Sequence, residues 1–188
     1  MNILVKTYGG RTIVRPDTTW ERDNEDLFLP EFVSRVSYVP VLFARISKPG
    51  RSVSARFADR YYDGIGFGVL LYPDDLLDGS EEGYACASCL DHTSFLSFPV
   101  WDKASLGDGS NVFELRKDGE SIFSFNGADA SMIEKAIEEV TKFCYVRVGD
   151  LLAIELQGRC PLCSREDGSA DMEGSWCGKP AVDFKLIF

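Results

Sequence analysis

The stretch that most constrains this chain runs from Phe57 to Leu77, FADRYYDGIGFGVLLYPDDLL. Gly64, Gly66 and Gly68 fall at every second position. A strand built from them carries side-chain-free positions on one face, where another backbone or a ligand can approach closely. The apolar run from Phe67 to Tyr72 is short and sharply bounded, which suits a strand buried on both faces better than a helix. It ends on Pro73, Asp74 and Asp75, and carboxylates at a strand exit are the place to look for a hard cation.

A length of 188 residues suits one domain with a real core, and an apolar fraction of 45% with 12% aromatic residues belongs to a folded, soluble chain. A net charge of −10 argues against nucleic acid and anionic membranes as partners. No run of about 18 apolar residues offers a bilayer span. The opening MNILVKTYGG is too poor in apolar residues for a signal peptide, so the cytoplasm is the expected location. Six cysteines in such a chain are expected as thiols or metal ligands. His92 is the only histidine, so a multi-histidine zinc site or a histidine relay cannot be built within one chain.

Alternation predicts strands over residues 2–8 and 12–14 around a Gly9-Gly10 turn, followed by surface loop over 18–31. VSYVPVLFARI, 36–46, is a strong strand whose Pro40 calls for an edge position or a bulge. Residues 53–62 suit a short helix, 77–89 a loop, and 92–101 alternate in part. Asp118-Gly119 between alternating segments at 112–116 and 121–125 is a hairpin signal. Residues 129–143 form the one convincing helix. Ser131 with Glu134 makes a capping-box pattern, and Ile133, Ala136, Ile137, Val140 and Phe143 make one apolar stripe. A strand at 151–156, a polar loop at 158–171 and a closing hairpin around Gly178 complete a mostly β, α+β chain with no internal repeat or linker.

The order of these pieces carries a resemblance. FLPEF at 28–32, the strand at 36–46, FADRYYDGIGFG, Asp75-Leu76, Cys89-Leu90-Asp91, the NGAD helix entry at 126–129 and VGDLL at 148–152 follow one another as in the fumarylacetoacetate hydrolase family. The chain resembles that family over about residues 12–188. The resemblance implies a mixed β-roll forming one domain over 1–188, usually as a homodimer. It also implies hydrolysis, isomerisation or decarboxylation of 2-oxo and diketo acids at Mg²⁺ or a similar cation held on carboxylates. The implied ligand positions are Val39, Val41 and Asp75, so only the last keeps a carboxylate. A family lysine corresponds to Ser88, and a Gly-Thr-Pro substrate loop corresponds to Glu155-Leu156-Gln157. The N-terminal part, 1–27, lacks the family's His/Glu base segment.

One carboxylate cannot supply the near-octahedral oxygen shell of Mg²⁺, so no metal is expected at Val39, Val41 and Asp75, and no cofactor is needed. The leading expectation is therefore a family-like protein that has lost the metal-dependent C–C chemistry. It would retain a small organic acid site with Tyr72, Ser88 and Glu155 as candidate contacts. An alternative is an active hydrolase or isomerase of oxo acids, Mg²⁺-dependent or not, using Asp75, Asp74 and His92. Neighbouring strand residues point to opposite faces, however, and a turn with solvated carboxylates accounts for both aspartates. A further alternative is a zinc-stapled interaction protein built on Cys86, Cys89, Cys160 and Cys163. The CxxC spacing favours this, while the 71 positions between Cys89 and Cys160 and the usual role of free cysteine as a small buried apolar residue oppose it.

Overall fold

Two twelve-residue strands, residues 35–46 and 62–73, pair antiparallel along almost their whole length, and the other elements are laid on this ribbon. The structure is a computed structural model describing residues 1–98, 100–107 and 111–188. In chain order the first half contains β1 (Asn2–Lys6), β2 (Thr12–Pro16), β3 (Trp20–Glu21), β4 (Leu27–Phe28), β5 (Arg35–Ile46), α1 (Ala55–Ala58), β6 (Tyr62–Pro73), α2 (Glu81–Ala87) and β7 (Ser94–Phe95). The second half contains β8 (Phe113–Lys117), β9 (Glu120–Phe125), α3 (Ala130–Thr141), β10 (Leu151–Glu155), β11 (Cys160–Ser164), β12 (Ser169–Trp176) and β13 (Lys179–Ile187). One mixed sheet runs β2-β1-β10-β5-β6-β7-β3, with β11 also on β5, and a smaller sheet runs β4-β13-β12-β8-β9. The fold class expected from the sequence, a mostly β, mixed β-roll with one main helix, is the one observed.

Both faces of the central ribbon are covered, which explains its unbroken apolar run. Tyr38, Leu42 and Ala44 of β5 join Phe67, Val69 and Leu71 of β6 in the core shared with the second sheet and α3. The intervening side chains, Val39, Val41 and Phe43 with Leu70 and Tyr72, pack on the opposite face with Ile3, Val5 and Ala153. The β6 glycines lie on this second face and are filled by protein. A Cβ at Gly66 would meet the tip of the Phe43 ring at 2.5 Å, and one at Gly68 would overlap the backbone carbonyl of Phe95. The close approach expected at the glycines is therefore made by the chain itself.

Pro40 corrects the edge-strand expectation. β5 is interior, flanked by β6 on one side and by β10 and β11 on the other. The partner on the second side breaks at Pro40: β10 pairs with residues 41–45, and β11 pairs with 35–38. The Pro40 carbonyl accepts from Leu156 N–H at 3.0 Å, so the missing N–H faces this gap rather than the β6 ladder.

Other expectations shift locally. The 77–89 segment is not all loop, because Ser80 caps α2 by accepting from Gly83 N–H at 2.9 Å. The polar loop at 158–171 contains β11 and the start of β12. Helix α3 is capped by Asp129, which accepts from Met132 N–H at 3.1 Å, rather than by Ser131. Four of its stripe residues are buried, and Phe143 lies exposed beyond its end. The stretch at 92–101 supplies β7 and a bridge from Trp101 to Ile65, and its Pro99 lies outside the described residues. Both expected hairpins form, on Asp118-Gly119 and Cys177-Gly178, each pair having positive φ. No described helix is long and apolar enough to cross a membrane.

Candidate functional site

On the second face of the large sheet, the β1–β2 hairpin, the ends of β6 and β10, and α2 enclose a cleft of about 870 Å³. Val39 and Tyr72 form its floor, the turn residues Tyr8 and Arg11 with Ile13 and Val14 form one wall, and Tyr84 and Cys89 form the other. Glu155 and Arg159, at and beyond the end of β10, close the remaining side.

A hydrogen-bonded chain crosses this cleft. Tyr72 donates to Glu155 Oε1 at 2.9 Å, and the Tyr72 and Tyr84 hydroxyls lie 3.2 Å apart. The other Glu155 oxygen accepts from Tyr8 N–H at 2.8 Å. Tyr72 has a single hydroxyl hydrogen, so in this arrangement Tyr84 donates to Tyr72. The two rings stack with centroids 5.5 Å apart. Tyr72 is fully buried, whereas Tyr84 and Glu155 are partly exposed.

Beneath Tyr72 lies Arg15, with no solvent exposure and its guanidinium 4.8 Å from the ring centroid. It donates to the carbonyls of Ser88 at 3.0 Å, Thr93 at 3.1 Å and Leu71 at 2.7 Å, and to the Ser94 hydroxyl at 2.8 Å. Burial lowers its pKa, against the raising influence of Tyr72, Tyr84 and Glu155. Burial likewise pushes the Glu155 carboxyl up, a shift opposed by the Tyr8 and Tyr72 hydrogen bonds and by Arg15 and Arg159. The Tyr72 hydroxyl is held well above the ordinary range by burial, and that of Tyr84 is raised for the same reason.

The residues singled out in the sequence separate into different settings. Tyr72 and Glu155 meet in the cleft. Ser88 also borders it but is buried, its hydroxyl donating to the Tyr84 carbonyl at 2.8 Å, so it finishes α2 rather than facing a ligand. Asp75 lies exposed at the exit of β6, where it accepts from Ser34 N–H at 2.7 Å, the Ser34 hydroxyl, and Arg35 N–H at 3.1 Å. Desolvation would raise its carboxyl, but these donors bring it below the usual aspartate value. Asp74 accepts from the Ser37 hydroxyl at 2.7 Å. His92 sits at positive φ on the surface, 3.0 Å from Glu21. Asp74, Asp75 and His92 thus have separate partners and none lines the cleft.

The residues at the implied cation site do not fit Mg²⁺ or Mn²⁺. Val39 and Val41 are buried in an apolar cluster and offer no lone pair. Asp75 is turned away to Ser34, which leaves Glu155, paired across the strands with Val41, as a single carboxylate beside the valines, too few oxygens for the shell of a hard cation. Among the described residues no group of three or more His, Cys, Asp and Glu is arranged to hold a metal ion. Cys86 and Cys89 are exposed near the end of α2, whereas Cys163 is buried with its thiol pushed up to about 12, chiefly by desolvation. That environment opposes the thiolate that zinc requires.

Arg15, Tyr84, Arg11 and Arg159 were not anticipated as parts of the site. The loop expectation over 77–89 hides Tyr84, although Ser80 before Glu81-Glu82 is an N-terminal helix signal. Arg15 had no signal, since burial of an arginine depends on acceptors 56 to 79 positions away in sequence.

No family model matches the sequence, and no curated protein matches it. Solved structures do match in fold. A protein described as a fumarylacetoacetate hydrolase family member from Yersinia pestis CO92 superposes with a TM-score of 0.78 at 18% identity, over 99% of this chain and 92% of that one. Fumarylpyruvate hydrolase from Pseudomonas aeruginosa, solved with Mn²⁺ and pyruvate, gives 0.78 at 17% identity over 95% and 78%. 5-Carboxymethyl-2-hydroxymuconate delta-isomerase from Mycobacterium smegmatis gives 0.73 at 18% identity over 94% and 68%. The chain therefore shares the fold of fumarylacetoacetate hydrolase family proteins and related isomerases and hydrolases.

Proposed function

We propose that this chain, on the fold of the fumarylacetoacetate hydrolase family, has lost that family's metal-dependent hydrolysis and isomerisation of 2-oxo and diketo acids and keeps its cleft as a site for a small organic acid. The observation that supports this is the donor set at the implied cation site. Val39 and Val41 are apolar, and Glu155, held by Tyr8 and Tyr72, is the single carboxylate beside them. The cleft itself is open and carries two guanidinium groups, Arg11 and Arg159, suited to a carboxylate. Cleavage of an acylpyruvate through Asp75, Asp74 and His92 has less support, because those residues do not share a cavity.

Calorimetric titration tests the reading. MgCl₂ and MnCl₂ are expected to give no stoichiometric micromolar isotherm, and acylpyruvates are expected to remain intact with either ion present. An aryl-substituted 2-oxo acid is expected to bind, and Arg159→Ala to weaken it. Tight stoichiometric metal binding, or metal-dependent cleavage, would overturn the proposal.

A further inference from the structure

At the end of β5 away from the cleft, two segments of chain are tied into one surface. Gly50 and Val146 exchange N–H···O bonds of 3.0 Å each, and Ser52 N–H reaches the Thr141 carbonyl at 2.7 Å. Val53 N–H reaches the Thr141 hydroxyl at 2.9 Å, and Ala55 N–H, at the start of α1, bonds Glu138 of α3 at 3.0 Å. Residues 47–61 and 141–149 therefore share a face beyond Ile46, whereas the cleft lies around Val39.

That face has a charge of its own. Lys48, Arg51, Arg56, Arg60, Lys142 and Arg147 are exposed there. Asp59, held by Lys103, is the only acidic residue within the two segments, in a chain of 30 acidic and 20 basic residues. Among the described residues none of the six cations has an ion pair, although nearby Lys6, Arg45 and Lys103 are paired with Glu139, Asp63 and Asp59. Like charges gathered without partners repel one another, and a bound anion offsets that repulsion. Apolar surface is interspersed with them: Phe143, Tyr145 and Val148 are 60%, 54% and 64% exposed. The Arg56 and Arg60 guanidiniums lie 4.8 and 5.6 Å from the Phe57 ring centroid, and the Lys48 ammonium lies 5.2 Å from that of Tyr61.

We propose that this face docks a short acidic segment of a partner protein, in which Asp and Glu alternate with apolar side chains. Guanidiniums already held against a ring lose less freedom when they form a forked pair with a carboxylate. The segment's apolar side chains would cover Phe143, Tyr145 and Val148. Two features oppose a nucleic acid here. Phe57 and Tyr61 already carry cations, so those rings are not free as platforms for bases. Nearly all the acidic residues lie elsewhere in the chain, so a polyanion longer than the face, or an anionic bilayer, is repelled beyond its edge.

The probe is a fluorescein-labelled peptide repeating Glu-Asp-Leu-Phe, followed by fluorescence anisotropy. The full chain should bind it, with affinity falling about tenfold or more as NaCl rises from about 0.05 to 0.3 M. Arg56→Ala with Arg60→Ala should weaken binding about tenfold, and Phe143→Ser should weaken it without altering the salt dependence. Arg22→Ala with Lys179→Ala removes the same charge from elsewhere on the surface and should leave binding unchanged. All five side chains are exposed, so thermal denaturation should show every variant folded. No binding at low salt, or equal loss in the two charge-removing pairs, overturns the proposal. Oligothymidylate or phosphatidylserine vesicles bound as tightly as the peptide also overturn it. So does self-association of the chain that Arg56→Ala with Arg60→Ala abolishes, which would give the face to a second copy.

Discussion

Arg15 donates to carbonyls on three separate stretches of chain from a position without solvent contact. A buried guanidinium is tolerable because its donors are used, and the acceptors in turn depend on it. Arg15→Met removes donors from the Leu71, Ser88 and Thr93 carbonyls and is expected to cost about 3 kcal/mol or more, read from the urea midpoint. Glu155 makes a pH prediction of definite sign. Its carboxyl is raised in the folded state, so the fold holds that proton to higher pH than the unfolded chain does. Its contribution is complete below the ordinary glutamate value of 4.5 and falls as pH rises toward the raised value. Glu155→Gln should flatten that slope in pH-dependent denaturation, and an unchanged slope would contradict the burial. Asp75 acts in the opposite sense, since its lowered carboxyl contributes above the ordinary value of 3.8 and loses that contribution on acidification.

At the scale of elements, β6 explains why glycine recurs. Gly68 faces the backbone carbonyl of Phe95, which cannot rotate away, whereas Gly9 in the first hairpin has nothing within 4 Å of an added Cβ. Gly68→Ala is therefore expected to cost about 1–3 kcal/mol through overpacking, and Gly9→Ala to stay within about 0.5 kcal/mol; thermal denaturation distinguishes them. Equal effects would mean that close approach is not what selects glycine here. The N-terminus of α3 offers a second check, because Asp129→Ala removes its capping acceptor and should cost about 1 kcal/mol, while Ser131→Ala should cost less.

At the scale of the molecule, aromatic contacts join the two sheets. Phe67 from the large sheet stacks on Phe113 of the small one with centroids 4.7 Å apart and touches Trp176 at 4.9 Å, while Phe95 stacks on Phe184. Phe67→Ala should lower stability by about 3–5 kcal/mol, with both sheets lost in one transition. Non-coincident far- and near-ultraviolet circular dichroism melts would show instead that the sheets unfold separately.

The alternation and apolar runs of β5 and β6, the two-residue hairpin turns and the apolar stripe of α3 were legible in the sequence, because each depends on neighbours a few positions away. So were Tyr72 and Glu155 as residues of interest, though not their hydrogen bond. Tertiary structure decided that Pro40 sits inside a sheet, since that required a break between two partner strands. It also turned Asp75 outward to Ser34, buried Arg15 among distant carbonyls and brought Tyr84 onto Tyr72. The fold's elements follow from local periodicity, whereas the cleft's chemistry comes from contacts across 12 to 147 positions that only chain closure brings within hydrogen-bond reach.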